Sequence, residues 1–487
     1  MTKEGREGIR NIWMTGFGQA VRFILLLATA VTIPRLFGPE VYGQFSVVMA
    51  VISMLFVFSV MGLRFAELRI LAPLFRDGDN SQAAGLASSI FNLRIFAGLV
   101  AASVCGFWLH LSNSVDDPVL LMAVVLFALT RYWMEAARSL LLPLKLIFWY
   151  IAIDLTNLIL TLCALLLGYV TGGLSGAFYA ASVIGALLLY TSIRLDKSVI
   201  VITVGKIEWN RIREVFPFCI FVLLSALFIA SQASLPIWIL SRFGTFEQAA
   251  YLGVSVQVLL TLRGLFTAFW QSLLPIMATM QERGEQQRLI QWVNLIMRVL
   301  AVLFSIAMFI WVFHGPAITK ILLGSQYNQV FPCVTMMLLS AACFSIGACG
   351  IGIIELRKRA DLGALNYLVF LLSTLAGIFW LYMNGMAGDA YHISQIYASS
   401  SIVFLLFSYL TLGLFEKIWI PVGRVLVLFA PLCLASISMP WYDQAEAGFI
   451  YTLVFLALYV SSLFIFRLIR WSEVVYAFSL VRSGKTI

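Results

Sequence analysis

Long apolar segments separated by short polar loops occupy nearly all of this 487-residue chain. A helix needs about 20 predominantly apolar residues to cross the ~30 Å hydrocarbon core of a bilayer. Segments such as 45–61, 151–170 and 301–313 are continuously or almost continuously apolar. They lack the alternation of apolar and polar residues that marks a membrane β-strand. The pattern predicts an all-α polytopic membrane protein with about 14 transmembrane helices.

The predicted spans leave no loop long enough for a separate soluble domain. The first span is too long for the apolar core of a signal peptide, and no small-residue cleavage pattern follows it, so we expect an uncleaved membrane anchor. The spans are predicted at residues 11–33, 44–66, 84–110, 118–139, 146–169, 173–194, 213–239, 248–275, 291–313, 331–354, 362–384, 390–413, 419–439 and 448–468.

Basic residues fall almost entirely on one side of this predicted topology. If the N-terminus is cytoplasmic, one set of loops carries 24 Lys and Arg residues and the opposite set carries three. Lys and Arg concentrate in cytoplasmic loops, so both termini are predicted to be cytoplasmic. The net charge of +9 is then explained by basic loops that lie against anionic lipid, and no nucleic-acid partner is expected.

Two glycine-containing loops repeat at a constant spacing. Phe37-Gly38 follows the first span and Phe243-Gly244 follows the seventh, an offset of 206 residues. Gly78 and Gly284, in the next loop of each half, share the same offset. Two loops on opposite sides of the membrane with one offset indicate an internal duplication.

The duplication predicts two six-helix lobes that enter the membrane from the same side. Their pseudo-two-fold axis then runs along the membrane normal, as in some transporters. A cavity between such lobes can open to either side in turn, although a channel or a scaffold is an alternative. The lobes are predicted at residues 1–197 and 213–415, with a cytoplasmic linker at 198–212 and two additional helices and a cytoplasmic tail at 416–487.

Charged side chains inside the predicted spans are the candidate site. A charge at the middle of a bilayer costs ~2.5–3.5 kcal/mol, so we expect these groups to face a water-filled cavity or to pair. Arginine carries a planar donor fork that suits phosphate, which predicts an anionic substrate with pyrophosphate as the natural choice. The charged residues are Arg22, Arg94, Arg131, Arg263 and Arg298, with Glu135 and Asp154 as acidic counterparts.

The five arginines differ in what surrounds them along the sequence. Arg22 and Arg263 have no acidic residue within a helical turn and are the strongest candidates for a positive cavity wall. Arg94 and Arg298 lie nearer the cytoplasmic ends of their spans. Their long side chains could reach the interface or the cavity, and both alternatives stay open.

The two acidic residues have structural and functional interpretations. Arg131 and Glu135 are four residues apart, so they can share a helix face and form a structural pair. Asp154 could bind a coupling proton or Na⁺, with Glu135 as a second candidate, or could neutralise an arginine of another helix. The three histidines show no metal-ligand spacing and no nucleotide-binding loop is present, so no metal and no cofactor other than H⁺ or Na⁺ is expected.

Two loop segments resemble those of a known family. Residues 35–45, RLFGPEVYGQF, resemble the first-loop signature of polysaccharide-repeat (O-antigen and exopolysaccharide, Wzx-type) flippases of the multidrug/oligosaccharidyl-lipid/polysaccharide exporter superfamily. Residues 323–327, LGSQY, resemble a second pattern of that family. Lipid II flippases of the superfamily carry essential arginines on the first and eighth helices, which here hold Arg22 and Arg263.

The resemblance implies a V-shaped secondary-type transporter of the bacterial inner membrane, not an enzyme. Its substrate would be an undecaprenyl-pyrophosphate-linked oligosaccharide, moved from the cytoplasmic to the periplasmic leaflet by alternating access for O-antigen, capsule or exopolysaccharide synthesis. Membrane lipids, a polysaccharide polymerase and a chain-length regulator would be its partners. The alternatives are a multidrug cation antiporter, whose cavity should favour acidic residues, a lipid II flippase, and a polysaccharide polymerase or ligase, which usually needs a large outside loop.

Overall fold

The structure is a computed structural model that describes residues 3–63, 67, 71, 74, 80–144, 146–197, 209–356 and 359–416. The predicted spans at 419–439 and 448–468 and the C-terminal tail lie outside these described residues, as does most of the predicted linker.

The described residues form long helices and no strand, which confirms the prediction of an all-α membrane protein. Nine of these helices are long and apolar enough to cross a membrane. A short 3₁₀ helix, Ser325–Tyr327, lies between α7 and α8. The helices are α1 (Lys3–Val60), α2 (Asn80–Leu111), α3 (Pro118–Leu140), α4 (Ile147–Lys197), α5 (Trp209–Phe243), α6 (Phe246–Glu282), α7 (Gln286–Leu322), α8 (Val330–Leu356), α9 (Ala360–Met383) and α10 (Ala390–Glu416).

Helix α1 consists of two segments that fold back on each other at Gly38. This glycine has a φ of 75°, a value that side chains with a Cβ rarely adopt. The rings of Phe37 and Phe45 lie 5.6 Å apart, whereas eight residues of a straight helix would span about 12 Å. The first two predicted spans are therefore the two segments of α1.

Helix α4 folds back in the same way at Gly172 and Gly173, where Gly173 has a φ of 62°. Glycine is also needed where the two segments of α4 cross. A Cβ on Gly168 would lie 2.4 Å from the carbonyl oxygen of Gly176. The fifth and sixth predicted spans are the two segments of this helix.

The helices of each half of the chain pack mainly on one another. In the first half, α3 packs along α4 and α2 packs against α1 and α3. In the second half, α8 packs along α6, α7 and α10, and α9 packs against α5 and α10. The halves meet where α1 contacts α5 and α6. Among the described helices, α1 thus makes the main contact between the two halves, and a smaller contact joins α2 and α5, where Trp108 packs against Trp238.

The two halves approach each other closely beside the Gly38 turn, where α6 begins. A Cβ on Gly43 would lie 1.8 Å from the carbonyl oxygen of Phe246, and one on Gly253 would lie 2.5 Å from the Ser46 hydroxyl oxygen. The two turns predicted by the 206-residue offset therefore lie at the same end of the molecule. We call this contact region, defined by Gly43, Ser46, Phe246 and Gly253, the turn-end contact.

Two hydrogen bonds from the α7–α8 region close the same end. The Tyr327 hydroxyl donates to the Pro34 carbonyl at 2.9 Å, and the Arg35 guanidinium donates to the Ile321 carbonyl at 3.1 Å. Burial raises the pKa of Tyr327 well above its usual value, so the phenol stays protonated and able to donate. The turn end of the molecule is therefore closed, with α1 bonded to the opposite half of the chain.

Candidate functional site

A cavity of about 510 Å³ lies between the two segments of α1, α3 and α4, with α5 and α6 forming the opposite wall. This volume falls within the range of ~300–1,000 Å³ typical of ligand-binding pockets. Both halves of the chain therefore contribute to one cavity, as expected for a site whose access depends on how the halves move.

Five charged side chains from three helices line this cavity, and four of them form ion pairs or hydrogen bonds with one another. We call them the charged cluster: Arg22 from α1, Arg131, Glu135 and Arg138 from α3, and Asp154 from α4. Three guanidinium groups face two carboxylates, which leaves the cluster with one excess positive charge. A cation excess inside the bilayer favours an anionic ligand because the ligand would supply the missing countercharge.

Asp154 is the acceptor on which two arginines converge. The Arg138 guanidinium hydrogen-bonds to one carboxylate oxygen of Asp154, and the Arg22 guanidinium lies 3.6 Å from the other. Arg138 also donates to Glu135, at 2.6 Å from Nη2 and 2.9 Å from Nε. Its guanidinium stacks over the Tyr150 ring, 4.7 Å from the ring centre. Arg138 is thus fixed on several sides.

Arg22 and Arg131 are the less constrained cations of the cluster. The Arg22 side chain is 41% exposed and its contact with Asp154 is long. Among the described residues, Arg131 forms no hydrogen bond or close ion pair, although it lies one turn from Glu135. These two guanidiniums have donors to spare for a ligand.

The charged cluster lies far from the closed turn end. The 16 residues from Arg22 to Gly38 correspond to about 24 Å of helix. Arg138 and Tyr150 lie near the end of α3 and the start of α4, on the side that the basic loops predict to be cytoplasmic. The cavity therefore runs from a charged end to the turn-end contact.

The structure places the predicted site residues in two groups. Arg22, Arg131, Glu135 and Asp154 line the cavity, whereas Arg94, Arg263 and Arg298 are not among the residues that line it. The sequence could not separate these groups, because all seven lie within predicted apolar spans.

Arg263 lies in an aromatic enclosure within the second half of the chain. Its side chain is 5% exposed and its guanidinium lies 3.8 Å from the Phe344 ring centre and 5.6 Å from that of Phe370. It donates to the Gln232 side chain at 3.3 Å, while Nε and Nη2 have no hydrogen-bond partner. Among the described residues Arg263 forms no ion pair with a carboxylate, and it does not reach the cavity in this conformation.

Arg94 and Arg298 each bond within the protein. Arg94 is 1% exposed, pairs with Glu67 at 2.7 Å and hydrogen-bonds to Ser139. Arg94 thus lies in neither of the two environments that the sequence suggested, the interface or the cavity. Arg298 is buried on α7, where it donates to the Asn294 carbonyl at 3.4 Å.

Arg138 is a member of the cluster that the sequence did not indicate. Arg138, at the cytoplasmic end of the predicted span 118–139, was counted with the basic residues of that side and not as a site residue, but it is buried near the end of α3. Glu135 hydrogen-bonds to Arg138, three residues away, and lies one turn from Arg131, with which it interacts electrostatically. The three-residue spacing is visible in the sequence and is also suited to a helical ion pair. Only the fold shows that Asp154 of α4 joins this pair.

Comparison with known proteins identifies the fold. No protein-family profile and no curated protein sequence matches the chain. The lipid II flippase MurJ, in an inward closed conformation, matches with a TM-score of 0.68 and 15% identity over 95% of this chain and 100% of MurJ. The Vibrio cholerae MATE transporter VcmN in its bent form matches with a TM-score of 0.55 and 13% identity over 90% of this chain and 98% of VcmN.

An inward-facing multidrug resistance MATE transporter of the MOP superfamily also matches, with a TM-score of 0.56 and 10% identity over 82% of this chain and 96% of that chain. The matched structures are membrane transporters. The chain therefore has the fold of MOP-superfamily transporters and is a multi-pass membrane protein.

Proposed function

We propose that this protein is a flippase that moves an undecaprenyl-pyrophosphate-linked oligosaccharide from the cytoplasmic to the periplasmic leaflet by alternating access. The observation that supports it best is the excess positive charge of the charged cluster inside the membrane. We place the protein in the bacterial inner membrane with both termini cytoplasmic. Its pathway would be O-antigen, capsule or exopolysaccharide synthesis, with the polymerase and chain-length regulator as partners.

The contacts of Asp154 support a phosphate as the group that binds. Two guanidiniums from different helices, Arg22 and Arg138, converge on one carboxylate. Planar guanidinium donors suit phosphate oxygens as well as carboxylate oxygens. The Asp154 carboxylate thus occupies a position in which a phosphate group would find the same donors.

Two related functions are alternatives. A cation antiporter is favoured by the likeness to MATE transporters, but both carboxylates of the cluster, Glu135 and Asp154, are engaged by Arg138. Cation binding would have to compete with that guanidinium. A lipid II flippase is favoured by the likeness to MurJ, which is itself named a lipid II flippase. We regard a polymerase or ligase as a distant alternative, because the proposed site consists of charge pairs inside the membrane.

Transport by purified protein in proteoliposomes tests the proposal. We expect undecaprenyl diphosphate carrying a short oligosaccharide to cross the bilayer faster than in protein-free vesicles. Lipid II and a fluorescent organic cation serve as the competing substrates. Faster transport of lipid II than of the oligosaccharide would indicate the lipid II function, and transport of the cation alone would contradict flippase activity.

We further propose that Asp154, supported by Glu135, couples transport to H⁺ or Na⁺. A phosphate can take over Arg22 and Arg138 only if the charge of Asp154 is released or neutralised. Replacing Asp154 with asparagine removes that requirement. We expect D154N to bind the lipid diphosphate at least as tightly as the wild type but to lose any response of the initial rate to an imposed pH or Na⁺ gradient.

The matched control is Asp117→Asn. Asp117 caps the start of α3 by accepting from the Val119 amide and lies outside the cavity, and asparagine is an equally good cap. This variant should keep the wild-type gradient response. A D154N protein that still responds to the gradient would exclude Asp154 as the coupling site.

A further inference from the structure

The two loop motifs singled out in the sequence meet at the turn end. One motif begins at Arg35, in the first half of the chain, and the other ends at Tyr327, in the second half. The Tyr327 hydroxyl donates to the carbonyl of Pro34, the residue just before the first motif. The Arg35 guanidinium donates to the carbonyl of Ile321, two residues before the second motif. Each motif therefore supplies a hydrogen-bond donor to the opposite half.

Both acceptors lie at helix ends, where carbonyl groups lack partners within the helix. Pro34 lies in the last turn of the first segment of α1. At the end of α7, amides of the following residues bond to the carbonyls of Thr319 and Lys320, and the next carbonyl, that of Ile321, accepts from Arg35. A cation at this position also interacts favourably with the helix dipole. Each half thus completes the bonding of a helix end in the other.

The loop that carries Tyr327 is fixed to the second half. The Tyr251 hydroxyl of α6 donates to the Gln326 carbonyl at 3.3 Å, and the Gln248 amide of α6 donates to the Gln329 side chain at 3.1 Å. The Tyr327 ring is fully buried and lies edge-on to the Tyr251 ring, with 6.1 Å between their centres. We therefore expect this loop to move together with α6.

The turn that carries Arg35 is fixed to the first half. The buried Phe37 ring stacks on the Tyr169 ring of α4, with 4.1 Å between their centres. The two hydrogen bonds between the motifs thus join two separately supported bodies. Both bonds must break if the halves part at the turn end, whereas the bonds within each half can stay intact.

We propose that Pro34, Arg35, Ile321 and Tyr327 form a latch that holds the cavity closed at the turn end, and that Arg35 and Tyr327 are positioning residues that set how often this end opens. The proposal rests on the transport function proposed above. Neither side chain lines the cavity, so the latch acts on access to the cavity and not on the ligand.

Tyr327→Phe tests the latch, because it removes the hydroxyl and keeps the buried ring. Opening is measured in right-side-out spheroplasts as the labelling rate of a Ser46→Cys reporter by a membrane-impermeant maleimide. Ser46 is 6% exposed and lies at the turn-end contact. We expect labelling about fivefold faster in Y327F, the shift in population that corresponds to one hydrogen bond of ordinary net strength. The same proteins without the reporter give the background from the native cysteines.

Two further variants separate the latch from a general loosening of the fold. Arg35→Met keeps the length of an exposed side chain but removes its donors, so R35M should also speed labelling. Tyr251→Phe is the matched control, because its hydroxyl bonds within the second half, and Y251F should label at the wild-type rate. Wild-type labelling rates in both Y327F and R35M would overturn the latch. Equal acceleration in Y251F would overturn it as well.

The latch and the proposed function can fail separately. Y327F should bind the lipid diphosphate as tightly as the wild type, because Tyr327 lies outside the cavity. Faster labelling in Y327F and R35M, with no lipid transport by the wild-type protein, would support the latch and overturn the proposed function. Lipid transport by the wild type, with labelling unchanged in both variants, would overturn the latch alone.

Discussion

Replacing Arg22 with alanine is expected to abolish detectable transport of the lipid-linked substrate while the protein stays folded and inserted. Arg22 is partly exposed, and its guanidinium lies 3.6 Å from the Asp154 carboxylate. Its loss should therefore weaken ligand binding more than it destabilises the fold. Removing one partner of a desolvated charge pair costs ~2–5 kcal/mol, which corresponds to a loss of about thirtyfold or more. The measurement is the initial transport rate in proteoliposomes at matched protein levels.

The chemistry of the replacement separates charge from geometry. Arg22→Lys should restore part of the rate because it keeps the charge but loses the two-pronged donor, and Arg22→Gln should restore none. Arg194→Ala is the matched control, because Arg194 is an exposed arginine bonded to Tyr190 at the end of α4 and does not line the cavity. A normal rate for R22A at normal protein levels would contradict phosphate binding by the charged cluster.

Arg263 offers a second comparison. The sequence does not distinguish Arg22 from Arg263, but Arg263 lies under Phe344 and does not line the cavity in this conformation. We therefore expect R22A to weaken binding of the lipid diphosphate more than R263A does.

Replacing Gly43 with alanine is expected to prevent the closed turn end and to stop the transport cycle. The added Cβ would lie 1.8 Å from the Phe246 carbonyl oxygen, which is backbone and cannot rotate away. Helix α6 would have to move away from α1 and break the turn-end contact. We expect the transport rate to fall by about tenfold or more, since overpacking of a close contact commonly costs ~1–3 kcal/mol or more.

Two glycines of α6, Gly253 and Gly264, give graded controls. A Cβ on Gly253 would lie 2.5 Å from the Ser46 hydroxyl oxygen. Because that side chain can rotate away, G253A should slow transport less than G43A does. A Cβ added to Gly264 would have no atom within 4 Å, so G264A should transport at the wild-type rate. Cysteines at the turn end, labelled by a membrane-impermeant reagent, should become more reactive in G43A and stay protected in G264A. Equal protection in all three variants would show that the turn-end contact tolerates a methyl group.

The hydropathy pattern predicted most of the fold because the bilayer imposes it. Backbone groups in the hydrocarbon core must be hydrogen-bonded within the chain, so long apolar segments become helices wherever they cross. The folding back of α1 and α4 was also predicted, because the first and second spans and the fifth and sixth spans are separated by short gaps. Positive φ angles at Gly38 and Gly173 allow the chain to turn there. The turns at Gly38 and Gly244, which share the 206-residue offset, lie at one end of the molecule.

Pairing of charges depended on tertiary structure. Hydropathy could show that Arg22 and Asp154 lie inside the membrane, but not that α1 and α4 bring them within 3.6 Å. Nor could it distinguish Arg263, enclosed by aromatic rings contributed by other helices, from Arg22 at the cavity. The cost of a charge in lipid is set by the residue itself, and so the sequence alone determined that these groups need partners or water. The choice of partner depends on distances between helices far apart in the chain, and only the packing of those helices decided it.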